Sequence, residues 1–432
     1  MICFYMHTII LKLLAFFSSL IIQRHSPYII GVTGTVGKTT ITSHIAHFLT
    51  EEFGSKNVWY SMHHYNGEYG LPLTIIGCKS PWNNPFLWIW VFFVAIVRLC
   101  RKYPKYLVLE YWIDHPGEMG FLLSIAKPNI GVLSPVESNH LEQFKTLEKY
   151  RSEKILLIQN SKIAIIHESL RQFIEMDAIY YSLWALSDVD ASHAHIWIEW
   201  TTAIAHYQNQ NFNLTLPSIG TFQIENILPL YPIAKILKID LNNIAKYALH
   251  GAPEAWRSSI LKWIKDTTII DGSYNWWYLS LREGIVSMRS FLHSHRLIFL
   301  LWDMRELWEV SQAIHEKFAK EILDIIPHEA NVSFYLVGPM MRDFVEPILS
   351  KNFTVQTSLS SKIMWIEIQK EIKKNPISTI VYWKWSQNTI FIEEWLKFLL
   401  KNDSDSQKLP RQSHSWLRKK QEFFNQFTSQ NI

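Results

Sequence analysis

Lys38, Thr39 and Thr40 close a glycine-bearing loop, Gly31-x2-Gly34-x2-Gly37-Lys38-Thr39, which follows the apolar run Tyr28–Val32 and opens a helix-compatible segment. That order of strand, loop and helix suits a nucleoside triphosphate. Gly34 and Gly37 let the backbone, Thr35 included, turn tightly with its N–H groups facing a phosphate. The Lys38 ammonium can then meet the β- and γ-phosphates, and the Thr39 hydroxyl is placed to bind Mg²⁺. Val32 stands where the strict G-x4-G-K-[ST] string has Gly. Two further groups sit at predicted strand ends. The strand Tyr106–Glu110 finishes on a carboxylate, and the apolar strand Ile130–Leu133 runs into SPVESNHLEQF, which carries His140. Functional groups collect at the carboxyl ends of strands in parallel α/β sheets. Glu110 and His140 are therefore candidates for a metal at the phosphate loop. Read singly, Glu110 is equally a solvated strand-end glutamate, and a lone histidine such as His140 is more often structural than a ligand.

The elements that must position these groups read as α/β throughout. A chain of 432 residues exceeds one ordinary core, so two or three domains are expected. With 48% hydrophobic and 19% charged residues it is globular, and a net charge of +4 gives no case for nucleic acid. Cys3, Cys78 and Cys100 form neither a metal motif nor a disulfide framework, which fits a reducing cytoplasm. Residues 1–22 are strongly apolar but interrupted by Lys12 and a Ser pair. They read as a helix packed on the domain or lying at a membrane surface, with a membrane span as the alternative. The apolar run Phe86–Cys100 is shorter, contains Arg98 and reads as a buried helix.

Short strands are expected over 182–220 and helices to about His250. A second alternating pattern follows, with strands Thr267–Asp271, Leu297–Leu301, Ser333–Val337 and Ile377–Tyr382. The predicted layout is an apolar N-terminal helix (1–26), a central P-loop ATPase domain with a mostly parallel sheet (27–252), a Rossmann-like α/β domain (253–402) and a polar tail (403–432).

Seven segments, TGTVGKTT (33–40), YNGEYGLPLT (65–74), EYWIDHPGE (110–118), HLEQFKTLEKYRSEK (140–154), DGSYN (271–275), LWDMRELWEVSQAIH (301–315) and KWSQ (384–387), resemble in order the motifs of the Mur ligases. These are ATP-dependent amide-forming enzymes of peptidoglycan precursor synthesis, and the likeness is greatest to the branch that adds D-alanyl-D-alanine. The resemblance implies ATP and two Mg²⁺ ions, with a UDP-N-acetylmuramoyl peptide and D-alanyl-D-alanine as substrates. It implies that Lys38 contacts the β/γ-phosphates and that Thr39 and Glu110 hold one Mg²⁺. His140 then holds a second, and Lys154 falls at a position carbamylated in several family members. Asn226 matches an adenine-side Asn. Arg257, Asp271, Tyr274 and Asn275 match nucleotide contacts of the second domain, and Lys384 and Ser386 match a KGS element near the reacting phosphate. A monomer in the cytoplasm is expected, with contact to a membrane surface through residues 1–22. The alternatives are a relative that adds glutamate to folate or a poly-γ-glutamyl chain, and a non-catalytic nucleotide-binding module.

The chain departs from the family pattern in several places. It reaches the phosphate loop without the family's N-terminal uridine-nucleotide domain, Gly272 stands where a second Asp is usual, and Phe222 and Gln223 replace a His-Asn pair. Trp112, Trp256, Trp302, Trp308 and Trp385 stand where the motifs carry Gly. The composition has 15 Gly and 19 Trp, and the two together come to about 8% of the chain, near the roughly 7% usual for Gly alone. Gly serves such sites because the backbone turns at positive φ or approaches a ligand closely. The sequence therefore predicts a gene in which UGA encodes Gly and has been read as Trp, against the competing reading of a decayed, inactive ligase.

Overall fold

The computed structural model describes residues 2–61, 68–81, 85–137, 141–250, 259–263, 267–272, 278–304, 307–359, 361–374, 378–384, 397, 400–401, 403–409, 416–418 and 420–421. The chain divides into two compact units, the first comprising residues 1–194, 202–216 and 222–251, the second 195–201, 217–221 and 252–432.

The first unit begins with α1 (Ile2–His25), followed by β1 (Tyr28–Thr33), α2 (Lys38–Phe53), β2 (Val58–Tyr60), α3 (Gly70–Ile76), α4 (Pro85–Cys100) and β3 (Tyr106–Glu110). Next come α5 (Glu118–Ile125), β4 (Ile130–Leu133), α6 (Leu141–Phe144), α7 (Leu147–Gln159), β5 (Ile163–His167) and β6 (Ile179–Ser182). Strands β7 (Val189–Ile196), β8 (Thr201–Tyr207) and β9 (Gln210–Leu216) follow, then α8 (Thr221–Ile227), α9 (Leu230–Leu237) and α10 (Asn242–His250). The nine strands form one sheet in the order β2-β3-β1-β4-β5-β6-β7-β8-β9. Every pairing from β2 to β7 is parallel. Parallel strands bury both faces, so they appear in the sequence as continuous apolar runs. β1 and β4 are buried almost end to end. By contrast β8 alternates buried and half-buried residues along its length.

Connectivity decides where the site falls. After β1 the chain passes through α2 to β2 at the sheet edge and returns through β3, which pairs with one side of β1. It then crosses through α5 to β4 on the other side. The carboxyl ends of β1, β3 and β4 thus lie together at the point where strand order reverses, the position at which open α/β sheets bind ligands.

The second unit holds β10 (Ser259–Lys262), β11 (Thr268–Asp271), α11 (Tyr278–Met288), β12 (Arg296–Trp302), α12 (Ser311–Ile325) and β13 (Val332–Val337). It continues with α13 (Glu346–Leu349), β14 (Thr354–Ser358), α14 (Ser361–Lys374) and β15 (Thr379–Lys384). Its sheet order is β10-β11-β15-β12-β13-β14, parallel except for the antiparallel β10–β11 edge. Phe299 stacks on Phe334 with ring centroids 5.2 Å apart and meets Tyr382 edge-on. Trp365 packs edge-on against both Trp263 (5.5 Å) and Trp383 (5.8 Å). All three indoles are buried, and among the described residues no acceptor meets their N–H groups.

The α/β architecture expected from the sequence is the one observed. Strands β3 and β4 have the predicted bounds, whereas β15 lies two residues later than expected. Helix α4 corrects an expectation: it is not a buried helix, because Phe86, Ile89, Trp90, Phe93 and Ile96 are exposed on one flank. The apolar run reads alike in a core helix and in one that buries a single side, so composition misled. Because Phe299 is fully buried between aromatic partners, Phe299→Ala is expected to destabilise the second unit by about 3–5 kcal/mol, read as a lower urea midpoint.

Candidate nucleotide site

The loop between β1 and α2 is built by close backbone approach. Gly34 has φ +141°, and a Cβ there would collide with the side chain of Ser134, which lies just beyond β4. Gly37 has φ +84° and caps α2 in the left-handed region. A Cβ at Gly37 would sit 2.5 Å from Asn226 Oδ1. Both glycines therefore answer two demands at once, backbone conformation and space. Ser134 Oγ donates to the Val36 carbonyl at 2.6 Å, and Thr35 N donates to the Pro135 carbonyl at 2.8 Å. Glu137 N donates to Thr35 Oγ1 at 3.2 Å. The segment after β4 thus holds the loop from below and leaves the N-terminus of α2 directed at the crevice, where the aligned peptide dipoles favour an anion.

The side chains expected at this loop converge. Lys38 is buried, with Nζ 3.1 Å from the Thr35 carbonyl. Thr39 Oγ1 donates to Glu110 Oε1 at 3.1 Å. Thr40 is buried on the same helix turn. Two cis ligands of an octahedral Mg²⁺ lie about 3.0 Å apart at the usual metal–oxygen distance of about 2.1 Å. The Thr39–Glu110 oxygen pair, hard donors beside a lysine, therefore fits this ion. Lys154, on α7, is 1% exposed, and its Nζ lies 4.6 Å from the centroid of the Tyr150 ring. Burial holds its amine well below the ordinary lysine value, and the charge of Lys38 adds to this. Asp114, Glu110 and Glu153 pull the other way. Lys154 therefore shares an electrostatic environment with the phosphate lysine and the Thr39–Glu110 pair.

Asn226 is brought beside Gly37 by α8, whose preceding residue Glu225 anchors it. Glu225 Oε1 lies 3.0 Å from His167 Nε2, at the end of β5, and accepts from Leu183 N at 3.1 Å. Burial raises the Glu225 carboxyl, but the bonds from His167 and Leu183 outweigh it and leave the group below its ordinary value.

One side chain intrudes. Trp112, two residues past β3, places its ring face 4.5 Å from Lys38 Nζ, and its indole N–H donates to Asp114 Oδ1 at 2.8 Å. Asp114 N and His115 N both donate to the buried Glu118 carboxylate, which fixes this turn over the loop. The indole thus covers the ammonium that a triphosphate would approach.

The second unit places Asp271 at the carboxyl end of β11, in register with Trp383 of β15, and Lys384 one residue further on. Both are buried, and Lys384 Nζ donates to Ser280 Oγ at 2.6 Å. Trp302 is the last residue of β12 and is also buried. Trp308 lies in the turn that precedes α12. His140, Arg257, Tyr274, Asn275 and Ser386, with Trp256 and Trp385, lie outside the described residues.

Sequence reasoning missed Ser134, Glu153 and His315. Ser134 follows a strand end immediately, the same signal that singled out Glu110. Glu153 accepts from Gly117 N and Met119 N at 2.9 and 3.1 Å, capping α5 from a different helix. A contact of that kind has no local signature. His315 is fully buried and accepts from Met304 N at 3.0 Å, while its Nδ1 lies 2.7 Å from the Ser311 carbonyl. Burial lowers its pKa, so it stays neutral and braces the turn after β12.

Fold and loop together define an α/β protein whose glycine loop at the head of α2 is suited to a phosphate. Residues 32–229 match the Mur ligase middle domain. It is 25% identical over 316 residues to the UDP-N-acetylmuramoyl-tripeptide–D-alanyl-D-alanine ligase of Synechocystis sp., a match covering 69% of this chain and 60% of that protein. The fold is similar to that of MurF from Acinetobacter baumannii (TM-score 0.73, 16% identity, 90% of this chain and 80% of that one). It is also similar to MurF ligase from Thermotoga maritima in complex with ADP (TM-score 0.71, 22% identity, 92% and 84%). In the Synechocystis comparison the chain spans about 60% of its relative's length.

Two substitutions test this site. Gly34→Ala is expected to abolish binding of a fluorescent ATP analogue and to lower the melting temperature, because the added Cβ meets Ser134 at a positive φ. Thr39→Ala should retain metal-free nucleotide binding but lose its enhancement by Mg²⁺, measured by titrating the metal at fixed nucleotide.

Proposed function

We propose that the chain is an ATP-dependent ligase of peptidoglycan precursor synthesis, forming an amide between a UDP-N-acetylmuramoyl peptide and D-alanyl-D-alanine. The observation that carries this reading is the convergence of Lys38, the Thr39–Glu110 oxygen pair, Lys154 and Asn226 on one glycine loop. Similarity to ligases of that specificity supports it. A carboxylate oxygen of the acceptor peptide attacks the γ-phosphorus of ATP, and the bond to the ADP oxygen breaks, giving an acyl phosphate. The amine of the dipeptide then attacks the acyl carbon. The C–O bond to phosphate breaks, the amine loses a proton and inorganic phosphate leaves.

In this reading Lys38 neutralises charge on the transferring phosphoryl group, and the backbone N–H groups at the start of α2 hold the phosphates in line. Asn226 orients the adenine side. Catalysis is then mostly positioning and charge neutralisation. Thr39 and Glu110 hold the first Mg²⁺ and His140 contributes to a second; bound Mg²⁺ offsets the negative charge of the phosphates. Asp271, Arg257, Tyr274 and Asn275 match nucleotide-contacting positions of the family, and Lys384 and Ser386 match its KGS element. The chain acts as a monomer in the cytoplasm and touches a membrane surface through residues 1–22.

Lys154 enters this scheme as a carbamate. A neutral amine attacks CO2, its nitrogen bonds to carbon, a proton leaves and a carboxylate results. The low pKa that burial imposes on Lys154 favours the neutral amine. Labelling with ¹³C-bicarbonate is expected to give one carbamate signal in the parent and none in Lys154→Ala, whose lost turnover a short-chain carboxylic acid should partly restore.

Glycine at position 112 would remove the indole that covers Lys38, which supports the expectation that UGA is read as Gly in this gene. Peptide mass spectrometry of the protein from its own host is expected to find Gly at 112, 256, 302, 308 and 385. Trp at these positions would instead support a nucleotide-binding protein without turnover. With Gly present, phosphate release should require both substrates. Lys38→Ala should lower it by at least about a hundredfold, the scale of removing one charge-stabilising donor. Phosphate release that needs only one substrate, or an amide product with glutamate in place of D-alanyl-D-alanine, would overturn the assignment.

A further inference from the structure

Helices α1 and α4 lie side by side and run in the same direction. Phe17 meets Phe92 with ring centroids 5.9 Å apart, and further along His25 Nε2 lies 2.9 Å from the Arg98 carbonyl oxygen. One flank of the pair is fixed to the first unit. Leu14, Ile21, Val91 and Ala95 are buried there, Ser18 Oγ donates to the Pro72 carbonyl and Arg98 Nε to the Ile76 carbonyl. The other flank faces water with Ile9, Leu13 and Phe16 of α1 and with Phe86, Ile89, Trp90, Phe93 and Ile96 of α4, which are between 40% and 79% exposed. The intervals of three and four residues make one apolar stripe on each helix. Because the helices are adjacent the stripes form one surface, and an apolar surface of this extent marks an interaction site.

Charge identifies the occupant. No Asp or Glu precedes Glu51, and none lies between Glu68 and Glu110. Arg24, Arg101, Lys102 and Lys105 are exposed around the carboxyl ends of the two helices. A second copy of the chain would bring the same positive rim and no acidic partner from either helix. Phosphate headgroups supply the missing sign.

We propose that α1 and α4 form a platform that lies flat on an anionic lipid bilayer. Their exposed stripes sink to the acyl boundary, and the basic residues meet the headgroups. Residues Thr8–His25 are long and apolar enough to cross a membrane. Leu14, Ser18 and Ile21 nevertheless tie the second half of α1 to the domain, and α4 has only 16 residues against the roughly 20 a span needs. An in-plane arrangement keeps both sets of contacts, and Lys12, exposed on α1, can extend its ammonium to the headgroup layer. This proposal does not depend on the ligase reading.

The test is flotation of the full-length chain with vesicles of phosphatidylcholine alone or mixed with phosphatidylglycerol. The chain is expected to float with the anionic vesicles, and at least about tenfold less with neutral ones. The double substitution Ile89→Glu, Phe93→Glu should abolish flotation while the melting temperature and nucleotide binding stay at parental values, since both positions face water. Flotation that the double variant retains would overturn the platform, as would absence of flotation at any lipid composition. A dimer of the parent that the same variant converts to monomer would assign the surface to a second copy instead.

Discussion

The contact on which the nucleotide site depends is the one between Gly34 and Ser134. It joins the loop after β1 to the segment after β4, and a single added methyl would force the two apart. With that approach in place, the Ser134 hydroxyl and the Pro135 carbonyl hold the loop by three hydrogen bonds to its backbone. The same approach sets where Lys38 and Thr39 begin α2, and hence the distance from Thr39 to Glu110 on the third strand. The site is therefore a property of three adjacent strand ends. No one of them carries it alone.

Burial then divides the lysines by role. Lys38 is buried at the head of a helix, with its ammonium on a carbonyl and an aromatic face. Lys154 is enclosed beside Tyr150, where desolvation works against its charge. Burial lowers the pKa of Lys154, and the charge of Lys38 acts in the same direction.

Much of the fold could be read from the sequence because the parallel sheet writes its strands as apolar runs. Tyr106–Glu110 and Ile130–Leu133 are such runs, and their bounds agree with the structure; the first ends on Glu110, which accepts from Thr39. Contacts made across the chain left no such trace. Glu153 capping α5, Glu225 steering Asn226 toward Gly37, and Ser134 filling the space above Gly34 each join residues far apart in the sequence. The flank that α4 leaves in water was equally hidden, because apolar composition is the same on either side of a helix until its neighbours are known.

The three indoles at the centre of the second unit have a different consequence. Trp263, Trp365 and Trp383 pack edge to face, yet their buried N–H groups meet no acceptor among the described residues. A buried donor left unbonded costs about 1–3 kcal/mol, a penalty that a hydrocarbon ring of comparable shape does not incur. Within the described residues the indole nitrogens make no bond that carbon would lack, so ring volume and quadrupole hold the cluster there, and a hydrocarbon ring of the same shape would not carry that penalty.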